Sequence, residues 1–146
     1  MNRVHASCVT INNKGVLIAG PPGSGKSDLA LRLIDEGAVL IADDQTELRT
    51  EGDTLIASAP ATIAGLIEVR HVGLIKLPHA TTAPVVLYIE LTDLDQKLDR
   101  LPEEGHILLL DHPVRRLRLP GFAASTPAKI RVMLNAGQII SQDRSS

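Results

Sequence analysis

A chain of 146 residues, 44% hydrophobic and 22% charged, has the size and balance of one globular domain that buries its own core. A formal net charge of -2 gives no global pull toward nucleic acid or an anionic membrane, and with one Phe, one Tyr and no Trp there is little aromatic surface for stacking single-stranded bases. The lone Cys8 excludes an internal disulfide, no apolar run approaches the roughly 20 residues of a membrane span, and MNRVHASC lacks a secretory apolar core, so a cytoplasmic protein with neither nucleic acid nor membrane as partner is expected.

Taken in chain order, CVTI and GVLIAG are β-prone runs separated by NNK, where asparagine tolerates positive φ and Gly15 helps close a hairpin. KSDLALRLIDEG places Leu29 and Leu33 on one i, i+4 stripe with Ala30 and Ile34 beside them, a helix that Gly37 stops. VLIA reads as a buried strand ending on Asp43 and Asp44. TELRT and TLIAS flank EGD as a second hairpin, PATIAG is a short helical turn or loop, and GLIEVRHVGLIKL alternates as one or two strands. PVVLYIEL is a strong strand with Val85, Leu87 and Ile89 on one face. Asp93 caps a helix through Leu101, Pro102 breaks it, HILLLD is strand-like, and PAKIRVMLNAG forms a closing helix.

Residues 20–27, GPPGSGKS, satisfy G-x-x-x-x-G-K-[ST] between an apolar strand and an amphipathic helix. Gly20, Gly23 and Gly25, with Pro21, Pro22 and Ser24 between them, form a loop whose backbone N–H groups turn inward around phosphate oxygens. The helix behind it directs its N-terminal dipole at the same anion. Lys26 then meets the β and γ phosphates of a nucleotide, and the Ser27 hydroxyl ligates Mg²⁺. The bland alternative is a Gly/Pro-rich surface turn ending by chance in Lys-Ser. The predicted fold is a single α/β P-loop domain with a mixed sheet and flanking helices over residues 1–140, followed by a polar tail, 141–146; the hairpins require antiparallel pairs that a doubly wound sheet lacks.

Such a loop needs a carboxylate to hold Mg²⁺ and, for transfer to an alcohol, a group to take the proton. Two strand ends offer one, LIADD and HILLLD. Asp111 has the better-looking apolar run, but the Asp43–Asp44 strand follows the P-loop helix, and consecutive elements tend to be neighbours in space. Asp111 otherwise reads as a turn aspartate before His112-Pro113. Side chains of successive strand residues point to opposite faces, so Asp43 and Asp44 address the same atom only if the chain turns there. A metal cluster of His106, Asp111 and His112 matches no usual zinc spacing.

With VHASCVTINNKGVLIAGPPGSGKSDLALRLIDEGAVLIADD followed by LIEVRHVGLI, residues 4–136 resemble the HPr kinase/phosphorylase family, specifically its C-terminal catalytic domain in a short form lacking the N-terminal domain. The resemblance implies a fold like the nucleotide domain of phosphoenolpyruvate carboxykinases. It implies an ATP- and Mg²⁺-dependent kinase acting on a serine of an HPr-like phosphocarrier protein, with removal of that phosphate by inorganic phosphate in many members. By motif, it places His5 near the phosphates and makes Asp44 the catalytic acid/base, while Asp43 supports Mg²⁺ or orients its neighbour. Glu68 in LIEVR becomes a metal ligand with Ser27 and Asp43, and Arg100 in LDRLP stabilises charge on the transferring phosphoryl group. Arg70 shares the LIEVR motif, where a structural ion pair is an equal reading. The family's hexamer implies a homo-oligomer.

The sequence departs from the family at His71, where glycine is usual, at KLPHATTAP, which is shorter than the usual mobile loop, and at Phe122, where an arginine normally follows the glycine in a region tied to dephosphorylation. Kinase activity is therefore expected and phosphorylase activity left open. Two other readings stand beside it: a small-metabolite P-loop kinase, for which no lid segment is evident, and an ATP-sensing regulatory module without turnover.

Overall fold

Asn12 and Asn13 adopt φ values of 50° and 64°, the two positive values that a two-residue hairpin turn requires. They join β2 (Ala6–Ile11) to β3 (Lys14–Ala19), paired antiparallel from Ala6↔Ala19 to Ile11↔Lys14. The computed structural model describes residues 2–92 and 105–136. Its other elements are β1 (Asn2–Val4), α1 (Lys26–Asp35), β4 (Val39–Ala42), β5 (Thr46–Glu51), β6 (Thr54–Ser58), a 3₁₀ turn (Ala61–Ile63), β7 (Leu66–Val69), β8 (Gly73–Lys76), β9 (Thr82–Thr92), β10 (His106–Leu109), β11 (His112–Pro120) and α2 (Thr126–Ala136). The expected helix from Asp93 and the tail 141–146 lie outside the described residues.

Strand direction decides what meets at the mouth of the glycine-rich loop. Strand β3 runs parallel to β9, and β9 runs parallel to β11. Strand β2 lies between β3 and β4, antiparallel to both. The C-terminal ends of β11, β9, β3 and β4 therefore share one edge with the N-terminal end of β2. Beyond the N-terminal part of β9 the sheet continues through β6 and β5 to β1, and β7–β8 form a separate two-stranded sheet. The mixed α/β expectation holds. The strand after α1 is not the direct neighbour of β3, because β2 intervenes, yet its end arrives at the same place.

Two apolar layers sandwich the central strands. Val16, Ile18, Leu87, Ile89 and Leu91 face α1 and α2, packing with Leu29, Leu33 and Ile130. Cys8, Leu17, Ile41, Leu48, Leu55 and Val114 fill the opposite side. Val85 packs with this second layer rather than with Leu87 and Ile89, because the pairing of β3 with β9 shifts register between Gly15 and Val16. Gly15 serves that approach and not the turn: a Cβ there would lie 2.7 Å from the Pro84 carbonyl oxygen. Gly37 does stop α1, at φ 111°, with its N–H donating to Ile34 O at 3.0 Å. No described helix is long and apolar enough to cross a membrane.

Strand β11 is absent from the sequence expectation, and with it the geometry that settles Asp111. Leu110 and Asp111 take φ values of 49° and 65° in a two-residue turn between β10 and β11, which pair from His106↔Arg115 to Leu109↔His112. Since β11 is parallel to β3, that turn sits at the opposite end of the sheet from the glycine-rich loop. Asp111 is the turn aspartate, and His112 turns its Nδ1 toward Leu110 O at 3.3 Å. Among the described residues no three His, Cys, Asp or Glu side chains gather as a metal cluster.

Two outcomes follow from this packing. Asp111→Gly relieves a positive-φ position in an exposed turn, and stability should rise by about 0.5 kcal/mol in urea unfolding. Burial pushes the Cys8 thiol up from 9.0 to about 12, with the Val16 backbone pulling weakly the other way. The folded chain keeps this proton where the unfolded chain loses it, so the Cys8 contribution to stability is intact below pH 9 and erodes as pH climbs toward about 12. Cys8 should accordingly resist a thiol reagent at pH 8 in the native protein and react at once in denaturant.

Candidate active site

Strand β3 ends at Ala19 and α1 begins at Lys26, so the glycine-rich loop occupies only six residues. Gly23 and Gly25 hold φ values of 80° and 105°, a left-handed region that side chains disfavour. Gly20 is needed for space, since a Cβ there would lie 2.5 Å from Ser24 Oγ and 3.1 Å from Leu91 Cβ. The loop is closed by Ser24 N–H donating to Pro21 O at 3.1 Å and Leu29 N–H donating to Gly25 O at 2.8 Å. Lys26 is buried and curls back into the loop, its Nζ 3.0 Å from Gly20 O and 3.4 Å from Pro21 O. Ser24 Oγ is buried with no hydrogen-bond partner among the described residues. An ammonium, a spare hydroxyl and the free N–H groups of a helix start form a cradle suited to a phosphate oxyanion.

Beside the cradle lies the Asp43 carboxylate, only 8% exposed. Its Oδ1 accepts from Ser27 Oγ at 2.6 Å and from Ser7 Oγ at 3.0 Å, and its Oδ2 accepts from Glu68 N–H at 3.0 Å. Helix α1, β2 and β7 thus each send one donor to one carboxylate. The chain then turns: Asp44 takes φ 69°, and its N–H donates to Ser7 Oγ at 2.9 Å. That turn sends the Asp44 side chain into the open, where Oδ1 stands 2.7 Å from His5 Nε2, both side chains more than half exposed. The two adjacent carboxylates have separate surroundings, one buried and accepting from three donors, the other accessible and paired with an imidazole.

The structure therefore gathers Lys26, Ser27, Asp43, Asp44 and His5 at one edge. Glu68 belongs to the same edge through its backbone, while its side chain is exposed. Ser27 Oγ and the Asp43 carboxylate form an oxygen-only pair, the donor chemistry of a Mg²⁺ site that takes few protein ligands and leaves positions for phosphate and water. Arg100 lies outside the described residues. Arg70 is exposed in the β7–β8 turn, and His71 holds φ 69° in it, a conformation that glycine would take without strain. Two residues escaped the sequence reading. One is Ser7, a buried hydroxyl in β2, a strand that also buries Thr10, so its local sequence carries no signal that sets it apart. The other is Arg32, whose guanidinium donates to the carbonyls of Gly121 and Ala123 and pairs with Asp28.

A mixed α/β sheet whose glycine-rich loop stands beside a buried and an exposed aspartate defines the class of fold, and comparison with known proteins narrows it. The chain belongs to the family described as the HPr Serine kinase C-terminal domain, whose model matches residues 1–136. It is 41% identical over 129 residues to the HPr kinase/phosphorylase of Geobacillus thermodenitrificans, covering 80% of this chain and 41% of the relative. It is 34% identical over 128 residues to that of Clostridium acetobutylicum, covering 81% of this chain and 42% of the relative. The chain thus spans about two fifths of the length of these relatives. The solved structure of the Hpr(Ser) kinase/phosphatase from Coxiella burnetii superimposes with a TM-score of 0.81 at 29% identity, over 94% of this chain and 96% of that one.

Ser7→Ala deprives the buried Asp43 carboxylate of one donor and leaves the Asp44 N–H without its acceptor. A loss of about 1–3 kcal/mol in denaturant unfolding is expected, and an unchanged midpoint would show that solvent replaces both bonds.

Proposed function

We propose that the chain is an ATP- and Mg²⁺-dependent kinase domain that phosphorylates a serine of an HPr-like phosphocarrier protein, built as a P-loop nucleotide domain akin to that of phosphoenolpyruvate carboxykinases. The observation that carries this reading is the division of the aspartate pair: Asp43 tied to the loop hydroxyl of Ser27, and Asp44 open beside His5. The loop N–H groups and Lys26 hold the triphosphate. Ser27, Asp43 and Glu68 would hold Mg²⁺, which would supply positive charge to offset that of the triphosphate.

Asp44 is then the carboxylate available to an incoming alcohol. The serine Oγ bonds to the γ-phosphorus as the bond to the bridging oxygen of ADP breaks, and Asp44 takes the hydroxyl proton. His5 Nε2, bonded to the same carboxylate, fixes its direction. Run backward with inorganic phosphate as the attacking group, phosphoserine would give serine and pyrophosphate, with protonated Asp44 returning the proton to the serine oxygen. The kinase/phosphorylase designation of the relatives supports considering both directions.

Incubation with labelled ATP, Mg²⁺ and purified HPr tests this directly. Asp44→Asn should lower serine phosphorylation by roughly 10²–10⁴-fold, the range of general-base contributions, while ATP still binds. Undiminished transfer in that variant would remove Asp44 from the chemistry. ATP binding with no transfer by the unsubstituted chain would favour a sensing module instead.

A further inference from the structure

The segment after β11 docks against the glycine-rich loop and is fastened at several points. Gly121 N–H donates to Thr92 O at 3.3 Å, and Thr126 donates through Oγ1 to Pro120 O at 2.5 Å and through N–H to Ala123 O at 3.2 Å. Arg32, paired with Asp28 at 3.0 Å, donates to the carbonyls of Gly121 and Ala123. Gly121 packs so closely on the Ser24 carbonyl that no Cβ fits. On this anchored segment Phe122 is 56% exposed, with ring carbons 3.1–3.5 Å from the position of a Cβ on Gly25. One side of the ring rests on the loop and the rest meets solvent.

We propose that Phe122 is a stacking surface for the purine base of the nucleotide held by the loop, and that it makes the site prefer a nucleoside triphosphate to bare pyrophosphate. The inference rests on the nucleotide reading of the loop. A phenyl ring presents partial negative charge on its faces, so those faces repel a phosphate; beside an anion cradle they suit a flat, apolar group attached to that anion. Position agrees. Lys26 Nζ, turned toward Gly20 and Pro21, marks the end of the loop that takes the β and γ phosphates. The ring stands instead beside Gly25, on the helix face shared by Gly25, Asp28 and Arg32 at i, i+3 and i+7. That is the side from which a nucleoside attached to the α-phosphate would leave. Phe122 also interrupts a chain otherwise nearly free of aromatics.

The chain has no tryptophan, so Phe122→Trp introduces a single indole reporter. Its fluorescence should change on titration with ATP and Mg²⁺ and stay unchanged with pyrophosphate and Mg²⁺. By calorimetry, Phe122→Ala and Phe122→Leu should each weaken ATP binding by about tenfold, the lower part of the range for base–aromatic stacking, and leave pyrophosphate binding unchanged. Leucine keeps apolar packing on Gly25 without a stacking face, which separates stacking from loop support. Equal losses for both ligands, or none for ATP, would overturn the proposal, as would a rise in KM for HPr with ATP binding intact, which would assign the ring to the protein partner. If the unsubstituted chain bound neither ligand, the nucleotide reading itself would fall; ATP binding that ignores Phe122 would sink only the stacking role.

Discussion

The Asp43 carboxylate accepts hydrogen bonds from Ser7 on β2, Ser27 on α1 and the Glu68 backbone on β7, and the site is organised around that convergence. A charge taken out of water is costly unless donors replace the lost hydration. Three donors do so here, and each fixes the distance of its own element from the end of β4. The requirement works in both directions: the carboxylate needs the three elements close, and their closeness is what leaves it almost without solvent. Because two of the donors meet one oxygen, the arrangement has a defined direction, with Oδ1 turned toward the glycine-rich loop and Oδ2 toward β7.

Asp44 depends on this anchor through the backbone. A non-glycine residue at φ 69° is held against its local preference, and the restraint comes from its neighbours. Ser7 Oγ accepts the Asp44 N–H while donating to Asp43, and Gln45 N–H donates to Asp43 O at 2.8 Å. One hydroxyl thereby couples the buried carboxylate to the direction of the exposed one. Topology makes the coupling available: only with β2 inserted between β3 and β4 do Ser7 and His5 arrive at the edge where β4 ends. An ordinary parallel order, with β4 directly beside β3, would bring the aspartates to the loop without the histidine or the serine.

What could be read from the sequence followed from local chemistry. The loop motif, the Asn12-Asn13 turn and the Gly37 stop each rest on a residue type whose backbone or side-chain behaviour requires little context. Strand β11 was hidden because Pro113 and three arginines break its apolar pattern. Alternation persists beneath them, with Val114 in one layer, Leu117 and Leu119 against the other, and Arg116 and Arg118 standing 3.8 and 3.6 Å from Glu90. Asp111 shows the opposite limit: four apolar residues before an aspartate look the same whether the strand continues to the site or turns back at positive φ, and only the order of elements along the chain favoured Asp43–Asp44. Ser7 could not be assigned from its neighbours at all, since its partners are 36 and 37 residues away and meet it only through strand pairing.

The glycine-rich loop is consequently held from two sides by unlike means. On one side Ser27 reaches the buried carboxylate; on the other Arg32, one helical turn beyond Asp28, grips the carbonyls of the segment carrying Phe122. Both attachments run through α1, so the helix that begins at the loop also sets where the polar and aromatic walls stand. A cradle with its walls already placed pays less ordering entropy when a ligand enters, and donors held in advance stabilise developing charge without rearranging as it forms. The close approaches at Gly20, Gly25 and Gly121 belong to the same design: each missing side chain lets a wall come within contact of the loop, and a methyl group at any of them would push a wall outward before it touched a phosphate.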